Sequence, residues 1–160
     1  MLLVLMLSIS GCGYMNSLTN VSNPLTPQQS IDQVVTAARE LVGLLGLHVV
    51  EAFAWHSSCR DEGNPPFMGA GRIGYAKAPT YEQSDAEIAD MVKILRRNGW
   101  GDDPSFHSHG TVLMKNNVVV DFAPQTDATL DRNIEITGEC RDVTTTKESS
   151  GKSYPITFGP

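Results

Sequence analysis

Apolar residues recur at spacings of three and four between Ile31 and Leu45: Ile31, Val34, Val35, Ala38, Leu41, Val42 and Leu45, with Asp32, Gln33, Arg39 and Glu40 falling elsewhere. That spacing gives a helix one apolar stripe. Its start is marked by Thr26-Pro27-Gln28-Gln29, which sets a hydroxyl at the N-cap, proline at the first helical position and glutamine three residues after the cap. Gly46 suits a left-handed C-cap. A second stripe, Ile88, Met91, Val92 and Leu95, predicts another helix. Ser84 and Glu87 read as its capping box, and Arg96 and Arg97 fall in the last turn, where cations complement the helix dipole. Asn98-Gly99 ends it, and Trp100 is placed to fold back onto it.

Between and after the helices the pattern changes to alternation. His48 to Ser58 is rich in β-formers, with Val49, Phe53 and Trp55 on one face, and it ends at Cys59. Two prolines in Arg60 to Pro66 exclude a central strand there. Gly69 to Ala78 reads as a weaker strand loosened by three glycines. Phe106 to Met114 and Val118 to Phe122 predict a hairpin around Lys115-Asn116-Asn117, where asparagine tolerates positive φ. A three-residue loop pairs Met114 with Val118, Val112 with Val120 and Gly110 with Phe122, which separates apolar from polar faces better than a two-residue loop pairing Val112 with Asp121. Asn133 to Asp142 is the last full strand. Tyr154, Ile156 and Phe158 offer a short edge strand in an otherwise Thr-, Ser- and Gly-rich tail. The resulting fold class is α+β: a two-layer sandwich with two helices on one face of a mainly antiparallel sheet of about five strands. The folded domain is expected over residues 26–143, with 144–160 a flexible or edge-strand tail.

The first residues belong to neither pattern. Met1 to Ser8 is almost wholly apolar and runs into Ile9-Ser10-Gly11-Cys12. It is too short for a bilayer core, which needs about 20 apolar residues, and fits an export signal followed by small residues at the cut. The segment lacks the Lys or Arg that precedes the apolar run in such signals. Ile-Ser-Gly-Cys resembles the bacterial lipobox, in which the cysteine takes a diacylglycerol and becomes the first mature residue. Residues 1–11 are therefore read as a lipoprotein signal peptide, and residues 12–25 as the lipidated Cys12 and a Gly-, Ser- and Asn-rich tether. The implied location is the extracytoplasmic side of the cell membrane.

Charge and cysteine count narrow the partners. With 18 acidic and 12 basic residues the net charge is −6, the wrong sign for nucleic acid or anionic headgroups. Attachment to the membrane then falls to the lipid on Cys12. Without Cys12, an even pair remains, Cys59 and Cys140. In an exported chain such a pair is expected to be a disulfide, and neither residue has the CxxC partner of a metal site.

The lipobox, the polar tether, a helix, a strand carrying Trp55 with Cys59 behind it, a second helix, a hairpin and Ile134-Glu135-Ile136-Thr137-Gly138-Glu139-Cys140 together resemble the LppA-like lipoproteins of mycobacteria and their relatives. The resemblance implies a cell-envelope address and a disulfide, and it supplies no catalytic residue.

His107-Ser108-His109 is the strongest chemical candidate, because His-x-His on a strand offers two nitrogens on one face. The three-residue hairpin register sets Thr111 opposite Asp121, one diagonal step from His109, and His56 could join from a neighbouring strand. His107, His109 and Asp121 would then make a metal-assisted hydrolase, against which stands a solvated sheet face of the same composition. No Gly-x-Ser-x-Gly elbow occurs, and Ser57-Ser58 beside His56 is only a sequence neighbourhood. Asp102-Asp103 and Asp61-Glu62 read as loop acids, and Gly69-Ala70-Gly71-Arg72-Ile73-Gly74 lacks the helix that a phosphate cradle requires. Phe53, Trp55, Trp100 and Phe106 are expected in the core, and an exposed cluster among them would indicate a groove for lipid or peptide. The reading that follows is no enzyme and no cofactor. It is an envelope lipoprotein with a binding or assembly role toward an envelope protein or ligand, with a carrier of a small apolar ligand as the alternative.

Overall fold

The computed structural model describes residues 21–103 and 105–159. The lipobox cysteine Cys12 and the signal segment lie outside the described residues. The elements run α1 (Pro27–Leu45), β1 (Val49–Ser58), β2 (Phe67–Tyr75), α2 (Tyr81–Arg97), β3 (Thr111–Lys115), β4 (Val118–Phe122), β5 (Arg132–Thr137) and β6 (Ser153–Pro155). The strands form one sheet in the order β3-β4-β5-β2-β1-β6, every neighbouring pair antiparallel. The fold is thus the expected α+β sandwich, with six strands rather than about five. The extra one is the tail segment, whose Tyr154 pairs with Ala54 and whose Ile156 is buried beyond it.

α1 begins and ends where its caps place it. The Thr26 hydroxyl accepts from the Gln29 amide at 3.2 Å, the Gln29 side chain accepts from the Thr26 amide at 2.9 Å, and Gly46 closes the helix at φ 59°. α2 starts a turn earlier than expected. Thr80, just after Pro79, is the N-cap and accepts from the Gln83 amide at 3.2 Å. Ser84 and Glu87 lie inside the helix instead: Ser84 is buried, and Glu87 pairs with the buried Arg132 at 2.6 Å. The Thr80 hydroxyl caps the helix a turn before Ser84, and Ser84 and Glu87 instead meet Arg132. Trp100 does fold back, its amide donating to the Leu95 carbonyl while its ring is buried.

β2, read from its glycines as weak, lies in the middle of the sheet directly under α1. A Cβ added at Gly69 would stand 2.1 Å from the Ser30 carbonyl oxygen, and one at Gly71 would stand 2.5 Å from Val34 Cγ1. The glycines bring helix and strand together more closely than any side chain would allow. The core seals this contact with Val34, Ala38, Leu41, Ile73, Ile134, Ile136 and their neighbours.

The hairpin register departs from expectation. Asn116 and Asn117 both adopt positive φ, 51° and 61°, as a two-residue type I′ turn requires, so Lys115 pairs with Val118, Leu113 with Val120, Val112 with Asp121 and Thr111 with Phe122. The structure thereby buries Leu113 beside Val118, Val120 and Phe122. It leaves Val112 and Met114 on the other face, and Lys115 reaches back to α1. β3 also begins only at Thr111, so His107 and His109 precede the strand.

The helices cover one face of the sheet, and the register fixes which residues look the other way. Ala54 and His56 turn toward α1 and are buried, whereas Phe53 and Trp55 turn to the open face, half-buried with ring centroids 5.5 Å apart. Phe106 is exposed in the loop after α2. Of the four aromatics expected in the core, Trp100 alone is buried there. The other three were misplaced because alternation tells which residues share a face and not which face is covered.

Candidate functional site

The sheet end where β1 stops and β2 begins gathers most of the buried polar chemistry. Cys59, just past β1, is bonded to Cys140, a few residues past β5, with Cα atoms 6.0 Å apart. The two chain segments flank the start of β2, and the Met68 sulfur lies 3.8 Å from Cys140 Sγ. Arg141 then donates to the Asn23 carbonyl, and the Arg141 carbonyl accepts from the Leu25 amide. The first described residues therefore run along the same end as the disulfide.

Asp142 anchors this corner. It is fully buried, its backbone pairs with Phe67, and its carboxylate accepts from the amides and hydroxyls of Thr144 and Thr145. Burial alone would raise its pKa, but these donors hold the carboxyl below its ordinary value. His56 faces it, Nε2 standing 3.8 Å from Oδ2 and 3.0 Å from the Pro27 carbonyl oxygen. A carbonyl only accepts, so Nε2 carries the proton. Its other nitrogen is buried with no hydrogen-bond partner among the described residues. Glu139 sits nearby and is also held below its ordinary value. Burial opposes this, while Arg141, Gln33 and Asn117 bond its carboxylate. The pair His56 and Asp142 was missed by sequence reasoning. Its available signal was the Asp-x-Thr-Thr run at 142–145, which favours local side-chain to backbone bonding.

Three of the clefts among the described residues open on the helix-covered side. One of about 390 Å³ lies between α1 and the β3–β4 turn, floored by Ala37, Trp100 and Val118, with Glu40 bonded to Lys115 at 2.7 Å and accepting from the Trp100 indole at 3.3 Å. A second of about 490 Å³ lies between α2 and the start of β3, beside Lys93, Arg96 and His109. The third, about 310 Å³, lies over His56 and Tyr154 at the start of α1. Each is lined in part by charged side chains, unlike the closed apolar cavity that a carrier of an apolar ligand needs.

The alternative histidine site does not assemble. Asp121 sits on the open sheet face, opposite Val112 rather than Thr111, and its carboxylate accepts from Ser108. His109 borders the cleft beside α2, on the other side of the sheet, and His107 is exposed in the loop. Among the described residues no group of three His, Cys, Asp or Glu side chains is placed to hold a metal ion. The hairpin turn explains the outcome, since moving the register by one residue exchanges the faces of β3. His56 does not join the others either, being buried at the far end beside Asp142.

No helix among the described residues is long and apolar enough to cross a membrane. No solved structure matches the chain. Proteins described as "Putative lipoprotein LppJ" in Mycobacterium tuberculosis strain H37Rv and in Mycobacterium bovis are each 31% identical to it over 134 residues, covering 82% of this chain and 70% of theirs. The family pattern of the same description matches residues 26–158, from the N-cap of α1 to just past β6. The resemblance to mycobacterial lipoproteins seen in the sequence thus resolves to one of them, and the chain belongs to the LppJ lipoprotein family.

Proposed function

We propose that this protein is held on the extracytoplasmic side of the cell membrane by a lipid on Cys12, and that its domain serves a non-catalytic binding or assembly role for another envelope component. Membership of a lipoprotein family is the observation that carries this reading, since the Ile9-Ser10-Gly11-Cys12 lipobox supplies the one acceptor such an anchor needs. A disulfide fits an exported protein, because thiols in the cytosol are kept reduced. The polar, open clefts suit contact with a partner's surface better than enclosure of an apolar molecule.

The test is fractionation of the native host. Wild-type protein is expected in salt-washed membranes and Cys12→Ala in the soluble fraction. A Cys12→Ala protein that still sediments with washed membranes overturns the anchor. Crosslinking in intact cells followed by capture then identifies the component it touches.

A further inference from the structure

We propose that the uncovered face of the sheet, at the end carrying Phe53, Trp55 and Met68, rests on the phospholipid–water interface of the bilayer that holds the Cys12 lipid; this rests on the anchor proposed above. Three observations on separate parts of the molecule converge on it.

The first is chemical. Phe53 and Trp55 lie side by side on β1, Met68 follows on β2, and Met114 and Val119 extend the apolar surface toward the other edge, all partly exposed on the face no helix covers. An indole has an apolar body and one N–H donor, so it is most at home where hydrocarbon meets water. Trp100, in contrast, is buried and gives its N–H to Glu40.

The second is placement. Met68 touches Cys140, Arg141 holds the Asn23 carbonyl, and Leu25 bonds alongside, so the chain enters the domain at the end of the sheet where the patch lies. Nine residue steps separate Cys12 from Val21, a reach of at most about 32 Å. That is about the length of the ten-residue β1 itself. A domain on so short a lead keeps this end near the bilayer.

The third is charge. On this face Arg72 pairs with Glu135 at 2.8 Å, while Asp121, cross-strand from Glu135, adds a carboxylate bonded, among the described residues, only to the Ser108 hydroxyl. This face, like the acidic protein as a whole, would be repelled by anionic headgroups. A zwitterionic interface is the surface it fits.

The experiment uses the two tryptophans. Full-length lipidated protein is reconstituted in phosphatidylcholine vesicles, with and without bromine on the upper acyl chain, and floated to establish attachment. Wild-type emission is expected to shift to shorter wavelength on the vesicles and to lose intensity with brominated lipid. Trp55→Phe, which reports Trp100 alone, is expected to do neither. Wild-type protein that floats but is not quenched overturns the contact while leaving the anchor standing, and if dimers then crosslink on the vesicle the face belongs to a second copy. Protein that fails to float overturns the contact together with the anchor.

Discussion

The two faces of the sheet obey different packing rules. Under α1 the strands carry glycine at Gly69 and Gly71, and helix backbone comes within contact of strand backbone. On the other face the same strands carry Phe53, Trp55, Met68 and the Arg72–Glu135 pair, left partly open. One face is specified by what must be absent and the other by what is present. Volume changes should therefore be punished severely on the first and mildly on the second.

The largest expected effect comes from cutting the bond that fixes β1 and the chain past β5 around β2. Cys59 and Cys140 are 81 residues apart, and in the chain-entropy view closing such a loop contributes roughly 4–4.5 kcal/mol. Reduction is expected to lower the melting temperature by more than any surface change, and protein from an oxidising compartment should show no free thiol when denatured. Two titratable thiols in that sample would remove the bond from the comparison.

Gly69→Ala should follow. A methyl group there meets a helix carbonyl rather than a flexible side chain, so α1 must shift, at a cost of about 3 kcal/mol by the measure of overpacked cores. Denaturant unfolding measures it, and a loss under about 1 kcal/mol would show that helix and strand are not held so closely.

Asp142→Asn sharpens the contrast through pH. The carboxyl has a folded pKa below its unfolded value, so its contribution is fully present above the unfolded pKa and is lost as pH falls through the folded one. Replacing it should cost roughly 1–3 kcal/mol at neutral pH and flatten the decline of stability below about pH 4. An unchanged acid limb in the variant would assign that decline to Glu139, whose shift has the same sign.

The smallest effect belongs to the open face. Arg72 and Glu135 are 38% and 51% exposed, and a double-mutant cycle on them is expected to give about 0.2–1 kcal/mol, less at high salt. A coupling several times larger would mean that this face is covered by something in the molecule as measured.

Local chemistry was legible in the sequence wherever neighbours along the chain decide the outcome. The capping box of α1, its glycine end, the stripes of both helices, the glycine and tryptophan closing α2 and the alternation of the strands are all interactions within a few residues. The order of elements followed from them. What escaped was every decision made between segments. Thr80 or Ser84 could each cap α2, and the choice fell to Arg132, which arrives from β5 to take Glu87. Asn116-Asn117 could turn in two registers, and burial of Leu113 rather than Val112 selected one, scattering His107, His109 and Asp121.

The same division separates the two faces. Alternation along β1 determined that Phe53 and Trp55 share a side and that Ala54 and His56 share the other, because successive residues of a strand point oppositely whatever surrounds them. Which side α1 covers was decided only when the helix came down on β2, and it came down where glycine let it. Sequence thus determined the elements, the paired cysteines and the apolar stripes, and tertiary structure decided that small residues mark the core side while the large aromatics of β1 face outward. The reason is that the free energy of close backbone contact depends on both partners at once, and no single segment contains both.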